Sequence, residues 1–530
     1  MIEANDIAKS ATGGGRRSGW IIGMCLAGLL ALAMRLLPGP EILDDAYITY
    51  RIAENIAVGK GFVYNAGERL QSSTTPAYAL LLSRLPSLGV NVPRGSFILN
   101  ALAGMAAAML LFISVRRICG DGRVALTSAL LFAVFPGSVV YAISGMETAV
   151  FEVGMIAATT AFLFRRDWLV AVLAGILPLL RPEGLIISAI LGVALIVVKR
   201  NRVWTYGIVA LLPLLIWLAW ATAYYGTPVP HSVSEKQKFF TDPQFAVGLV
   251  GFLRQWIYHF YSLFWDNPVN NLQLHNTYYA AMLAGGAPFA LGYVYQIYKS
   301  AGGGARALPL ALAPGVYAGV CLVGQIGLPF PWYFMPTAGL FIAMSICGLY
   351  VLVRDVLAHW RPVWMNAAGG AVLVLGIGLA GNHLAAHYRW TPRIMPATLA
   401  DHVPPHREAA YEIVGKWLDA RGGNDQEIVI CAEVGAVGYF CRLKVWDQHL
   451  TQPKWVPERG GALVDKYKPR FITFMGIFSP MAELTSQPEF ARVGTSQMLY
   501  RQVLCLNLSN DPRYTLPRER HNVLIYERQD

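Results

Sequence analysis

Charge is what this sequence has least of. Charged residues make up 14% of its 530 positions, where soluble domains carry about a quarter. That deficit excludes one large solvated globule. Cysteines are also few, seven in all, and none stands in a Cys-x-x-Cys or Cys/His pattern with metal-ligand spacing. A structural zinc site therefore has no basis here. Cys25, Cys119, Cys321 and Cys347 fall in or beside apolar runs, and Cys431, Cys441 and Cys505 fall in the polar C-terminal part. No segment repeats at a fixed period, which argues against the matched halves of many secondary transporters. Low-complexity sequence is confined to the glycines at 13–15 and 302–304. No small-residue cleavage site follows the first apolar stretch, 19–38, so that stretch is expected to stay as a membrane helix and not to leave as a signal peptide.

Long hydrophobic runs are what the chain has in abundance: it is 55% hydrophobic, with a mean hydropathy of +0.43. Runs of about 18 residues or more read as transmembrane helices. The expected spans are 19–38, 96–115, 124–142, 146–164, 168–180, 184–198, 203–222, 276–298, 306–327, 333–353 and 363–385. Segments 168–180 and 184–198 are short and read as a helix pair broken at Pro182. Segment 76–90 contains Arg84 and Pro86 and reads as a helix on the outer surface.

The net charge of +11 would suit a nucleic-acid binder if it were pooled on one face. Instead the Lys and Arg stand in short clusters between apolar runs, which is how membrane topology is written. No nucleic-acid partner is expected. With eleven spans, Arg116/Arg117/Arg123, Arg165/Arg166, Lys199/Arg200/Arg202, Lys299/Arg306 and Arg354/Arg361 all share the side of the basic N-terminus. By the positive-inside rule that side is the cytoplasm. The loops at 44–45, 144–148, 181–184, 224–275 and 329–333 then lie outside, together with residues 387–530. The division expected is a membrane part, 1–386, with its first outer loop at 39–95, and a periplasmic part, 387–530. In the latter, 406–423 reads as an amphipathic helix ending at glycine, and EIVICA, KVWD and RFITFM read as short strands, the alternation of a small α/β domain.

The first outer loop carries the most chemistry. From Asp44, Ile48, Ile52 and Ile56 form an apolar stripe, and Asp44, Tyr47, Arg51 and Asn55 form a polar one. That pattern describes a helix lying in the membrane interface. Adjacent carboxylates raise each other's pKa, and active sites use such pairs to keep one acid as a base. The plain alternative is that Asp44 or Asp45 caps the helix. Glu147 and Glu152 follow Ser144-Gly145 on another outer turn, where carboxylates near membrane depth face a cavity or a partner. Arg181-Pro182-Glu183-Gly184 interrupts an apolar run with opposite charges. It is either a self-satisfied ion pair or a guanidinium fork for a phosphate. Lys236 and Lys238 stand in an outer loop, and Tyr333 lies in the aromatic stretch PFPWYFM at 329–335, an interface belt or a stacking surface.

These segments resemble, in order and over nearly the whole chain, those of bacterial GT-C glycosyltransferases. The strings are DDAYITYR, NIAVGKGFVYNAGER and SSTTP, then SGMETAVFE (144–152), LLRPEGL (179–185), YYGTPVPHSVSEK (224–236) and EVGAVGYFCRLKVWDQHL (433–450). The nearest branch is that of the mycobacterial terminal arabinofuranosyltransferase (AftB-like) and its bacterial relatives. Departures are His231 where that family has Asn, Glu433 where it has Asp, and QSSTTP before and at Pro76 where it has Glu-Gly-Tyr-Thr.

The resemblance implies a polytopic α-helical GT-C fold of about eleven spans in the bacterial inner membrane. It implies transfer of a sugar, arabinofuranose or another pentose or hexose, from a polyprenyl-phosphate donor to a cell-envelope glycan on the periplasmic side. Asp44 or Asp45 would be the base, and Arg181 and Lys236 would meet the donor phosphate. Arg51, Glu147, Glu183 and Tyr333 complete the expected substrate-binding set. A divalent cation is compatible with this arrangement, but the sequence does not require one. Two other classes stay open: a transporter or flippase of lipid-linked sugars, and a non-catalytic membrane scaffold. The topology is tested by labelling introduced cysteines from outside intact cells. A cysteine near Asp401 should react and one near Arg200 should not; the reverse would overturn the orientation.

Overall fold

A segment surrounded by lipid must satisfy its own backbone hydrogen bonds, so apolar runs of this length fold as helices. The computed structural model describes residues 14–198, 202–231, 233, 276–303, 306–323, 331–333, 335–356, 370, 407–422, 428–431, 434–446, 468–475, 482–484, 490–493, 500–507 and 522–528. In chain order the helices of the membrane part are α1 (Gly14–Leu36), α2 (Asp44–Ala57), α3 (Pro76–Leu82), α4 (Val92–Cys119), α5 (Gly122–Val134), α6 (Pro136–Ile143) and α7 (Thr148–Leu163). They continue as α8 (Asp167–Leu180), α9 (Gly184–Val198), α10 (Val203–Tyr225), α11 (Asn276–Gly303), α12 (Leu308–Val323) and α13 (Ala338–Val356).

Each expected span from 19–38 to 333–353 coincides with described helix, whereas 363–385 lies almost wholly outside the described residues. Among the described residues, Gly19–Leu36, Val92–Cys119, Val203–Tyr225 and Met335–Val356 are each long and apolar enough to cross a membrane. The chain is a polytopic helical membrane protein. One expected span needs correction: 124–142 is two helices, α5 and α6, bent by 51°. The cause is Pro136, which holds Phe135 extended at φ −63°, ψ 117° because the ring excludes the α conformation from the residue before it. The break at Arg181–Glu183 falls where the sequence places it, and segment 76–90 is the short helix α3 followed by a 3-10 turn at Pro86–Leu88. α13 is the most enclosed of the spans, and α10 turns Trp204, Ile208, Leu211 and Leu215 outward, as a lipid-facing helix does.

The C-terminal region contributes α14 (Arg407–Arg421), α15 (Gly435–Tyr439) and seven strands: β1 (Ile428–Cys431), β2 (Lys444–Trp446), β3 (Phe471–Met475), β4 (Ala482–Leu484), β5 (Phe490–Val493), β6 (Tyr500–Asn507) and β7 (Asn522–Arg528). They form one sheet in the order β2-β1-β3-β7-β6-β5-β4, parallel on both sides of β1 and antiparallel elsewhere. α14 buries Tyr411, Val414 and Leu418, one stripe at i, i+3 and i+7. α15 lies in the crossover from β1 to its parallel neighbour β2.

A helix of five residues is all ends, so its N–H and C=O groups need partners from elsewhere. α2 supplies them. The Asp44 carboxylate accepts the N–H groups of Gly435 (2.9 Å) and Ala436 (2.8 Å). Two turns on, the Arg51 guanidinium donates to the carbonyls of Gly438, Cys441 (3.1 Å) and Leu443 (2.8 Å). An anion at the N-terminal end and a cation at the C-terminal end both complement the helix dipole. Between them Tyr47 packs on Tyr439 and Phe440, with ring centroids 5.3 and 5.6 Å apart. The Tyr64 hydroxyl, from the same loop, donates to the Val434 carbonyl at 2.6 Å. Gly435 and Gly438 make this approach feasible, because a Cβ on the first would collide with the Asp44 backbone and on the second with the Tyr64 hydroxyl. Replacing Gly435 by Ala should therefore loosen the C-terminal region from α2 by about 1–3 kcal/mol or more, the cost of overpacking a tight contact. Thermal unfolding and limited proteolysis in detergent read this directly, and an Ala variant as stable and protease-resistant as the parent would contradict it.

Candidate active site

The two adjacent aspartates face different surroundings. Successive residues on a helix point about 100° apart, so Asp44 turns to α15 and is 3% exposed, while Asp45 is exposed. Asp44 has both oxygens engaged by backbone N–H groups, so it acts as the cap of α15 and is not a free carboxylate. Asp45 makes no hydrogen bond or ion pair among the described residues. The expectation for Arg51 also needs correction. Beyond the three carbonyls above, it donates to the Tyr64 carbonyl (2.8 Å) and Asn65 Oδ1 (3.1 Å) and lies over the Tyr64 ring. All five of its N–H groups have protein partners, three of them in the C-terminal region, which leaves none for a substrate. The polar stripe, opposite the apolar face expected to lie on the membrane, is thus a docking face, with Asp44, Tyr47 and Arg51 buried in it.

A buried network positions the turn that carries Glu147. The N–H of Glu41 donates to the Ile143 carbonyl (3.1 Å) and that of Leu43 to the Ser144 carbonyl (3.0 Å), which seats the start of α2 against this turn. The Gly145 carbonyl lies within 3.0 Å of the Tyr50 and Tyr78 hydroxyls and 2.9 Å of the Ser96 hydroxyl. Asn100 donates to the Tyr78 hydroxyl at 2.9 Å. Gly145 has φ +77°, and a Cβ there would strike the Tyr50 hydroxyl, so the position accepts only glycine. Glu147 follows in the last turn before α7, 6% exposed.

Glu147 meets the helix break between α8 and α9. Arg181 Nη1 lies 3.0 Å from Glu147 Oε1, and Arg181 Nε lies 3.4 Å from Glu183 Oε2. The guanidinium stands 5.1 Å from the Tyr333 ring centroid. Arg181 is 4% exposed and Glu183 is 8% exposed. Tyr317 and Cys321 of α12 lie near Arg181 and Glu183, and Asp45 lies near enough to Glu147 for their charges to interact. The structure thus gathers Asp45, Glu147, Arg181, Glu183 and Tyr333, from four separate stretches of the chain. Lys236 lies outside the described residues. One guanidinium between two buried carboxylates leaves the cluster one negative charge, or two with Asp45. Such a site favours positive charge developing on a bound substrate more than it favours a second anion. Among the described residues no three His, Cys, Asp or Glu side chains form a set that could hold a metal ion.

Arg35 escaped the sequence reading. It is fully buried at the C-terminal end of α1, donates to the carbonyls of Ala31 (2.8 Å) and Ala133 (3.3 Å) and to the Ser138 hydroxyl, and lies over the Phe132 ring. Glu152 of α7 is its electrostatic counterpart and accepts the Gly339 N–H at 3.3 Å. An arginine inside an apolar run was the signal available for it. Tyr50, Tyr78, Ser96 and Asn100 gave no such signal, because nothing in their local sequence announces that they meet at one carbonyl.

No protein-family model and no curated protein sequence matches the chain. Solved structures do. The crystal structure of ArnT from Cupriavidus metallidurans bound to undecaprenyl phosphate aligns over 96% of this chain and 98% of its own, with a TM-score of 0.53 at 14% identity. The apo crystal structure of the same protein aligns over 81% and 86%, with a TM-score of 0.44 at 13% identity. At this identity the first likeness establishes the fold alone, one that the chain shares with that protein.

Stability should separate the charged residues by their surroundings. Asp44→Asn should lower the thermal unfolding midpoint, because it removes a charge from the α15 cap and leaves one buried N–H short of a partner, about 1–3 kcal/mol. Asp45→Asn should leave the midpoint unchanged. Arg181→Leu, which strands two buried carboxylates, should be the most damaging at about 3–5 kcal/mol. Equal midpoints for the Asp44 and Asp45 variants would refute the split.

Proposed function

We propose that this protein is a membrane glycosyltransferase that takes a sugar from a polyprenyl-phosphate carrier and adds it to a cell-envelope glycan, on the periplasmic face of the bacterial inner membrane. The observation that carries the reading is one exposed carboxylate, Asp45, with no partner among the described residues, close enough to the buried Glu147–Arg181–Glu183 cluster to feel the charge of Glu147. Two further points support it. The ordered sequence motifs resemble those of GT-C glycosyltransferases, and the fold is that of a protein crystallised with undecaprenyl phosphate.

In the reaction, an acceptor hydroxyl oxygen attacks the anomeric carbon and the bond from that carbon to the phosphate oxygen breaks. The hydroxyl proton passes to Asp45, and polyprenyl phosphate leaves with the bonding electrons. Asp45 suits the base because its lone pairs have no partner among the described residues, whereas those of Asp44 are held by α15. The negative cluster behind it stabilises the positive charge that grows on the sugar ring. The departing phosphate needs a cation. Arg181 can offer its fork by exchanging the longer contact, that to Glu183, and Lys236 is the second cation in this reading. Tyr333 presents a ring face beside Arg181 for the sugar or the first prenyl unit. The sugar is arabinofuranose or another pentose or hexose.

Every loaded loop is read as facing outward, where a nucleotide sugar made in the cytoplasm does not reach. Purified protein should therefore transfer sugar from a synthetic polyprenyl-phosphate donor with no nucleotide sugar present. Asp45→Asn should reduce turnover at least a thousandfold while folding normally. Arg181→Lys, which keeps the charge but loses the fork, should raise the Michaelis constant for the lipid donor about tenfold. Transfer from a nucleotide sugar alone, or near-normal turnover by the Asp45 variant, would overturn the proposal.

A further inference from the structure

A cavity of about 220 Å³ lies between the C-terminal end of α2 and the segment from Gly438 to Lys444. Four cations line it, Arg51, Lys60, Arg442 and Lys444, against one acid, Glu54. Their commitments differ. Arg51 is fully occupied by carbonyls. Lys444 Nζ lies 3.5 Å from Glu68, a contact that is partly buried. Arg442 gives Nε to Asp419 at 2.8 Å, which leaves both terminal nitrogens without a partner among the described residues. Lys60 is exposed and makes no ion pair among them. Glu54 is one acid against four cations, and its carboxylate accepts the Tyr439 hydroxyl; burial pushes its pKa up. Burial also pushes the Cys441 thiol up to about 11, so that side chain adds no negative charge. The cavity therefore presents two open cationic groups, a guanidinium fork and an ammonium, in a recess walled by both parts of the chain.

We propose that this recess binds an anionic group, a phosphate or a carboxylate, on the acceptor glycan. The assignment to the acceptor rests on the transferase reading above; the affinity for anions does not. A planar fork beside a point charge is the arrangement that recognises either oxyanion. α2 and the loop after it form one wall of the recess, and the segment from Gly438 to Lys444 forms the other. Ten residues of α2 separate Asn55 in its wall from Asp45, about 15 Å along the helix. A glycan whose terminal hydroxyl reaches Asp45 would thus hold its charged group a few sugar units back. Because the recess is shared between α2 and the C-terminal region, an anion bound there also reinforces their docking.

The test uses the full-length protein in uncharged detergent at constant ionic strength. Inorganic phosphate and glucuronate should each raise the thermal unfolding midpoint saturably, and glucose should not. The Lys60→Ala/Arg442→Ala double variant should fold normally and bind both anions about tenfold more weakly or worse. With an acidic acceptor, the same variant should raise the acceptor KM while kcat and the donor KM stay unchanged. Absence of a saturable response in the wild type, or equal affinity in the double variant, overturns the proposal. So does an unchanged acceptor KM, or a response to phosphatidylglycerol nanodiscs without one to the soluble anions. Asp45→Asn should retain anion binding, so a failure of the transferase reading alone would appear as intact binding with no transfer by any variant.

Discussion

One short helix gripped at both ends joins the two parts of this molecule. Gly435–Tyr439 has too few residues to satisfy its own backbone, and Asp44 and Arg51, on one face of a neighbouring helix, complete it. The pairing is electrostatic as well as geometric, with each charge at the dipole end that favours it. Because Asp44 is held there, Asp45 is rotated away from α15 and left without a partner among the described residues. The same anchoring brings Tyr439, Arg442 and Lys444 against the far end of α2 and creates the basic recess. The position of the open carboxylate and the shape of the outer surface both depend on this contact.

The second constraint is the buried Arg181 cluster. A guanidinium out of water is costly unless it is paired, and Glu147 pairs with it from the turn before α7 while Glu183 does so from within the helix break. That break exists because Pro182 stops a run that would otherwise continue, and Glu147 is delivered by a turn that only glycine at 145 permits. The cluster is therefore held by backbone features, which is the rigidity a reacting group needs if it is to act without rearranging. Its net negative charge also redirects the interpretation of Arg181. It is first a partner of two carboxylates, and it reaches a phosphate only by giving one of them up.

Much of the architecture was legible along the chain, for a physical reason: a bilayer imposes one local rule, long apolar runs, and the positions of Lys and Arg orient them. The helices and their approximate bounds followed from that rule, and so did the break at 181–183. The bend at Pro136 was missed because an apolar window is blind to a single proline. In the C-terminal region, the three runs EIVICA, KVWD and RFITFM became β1, β2 and β3. The four later strands were not read, since their alternation is weak until they pair.

By itself the sequence determined that the protein is helical and membrane-embedded, and that its loaded residues, Asp44, Asp45, Glu147, Arg181 and Glu183 among them, stand at the ends of helices and not within them. It also showed two adjacent aspartates without distinguishing them. The tertiary structure decided which is which. A helix turns 100° per residue, so neighbours in sequence are not neighbours in environment, and only the presence of Gly435 and Ala436, some 390 residues away, makes Asp44 a cap and leaves Asp45 open. Arg51 changed role for the same reason. Its donors could be assigned to a substrate or to the protein on sequence grounds, and the carbonyls that claim them come from a part of the chain that local pattern cannot connect to it.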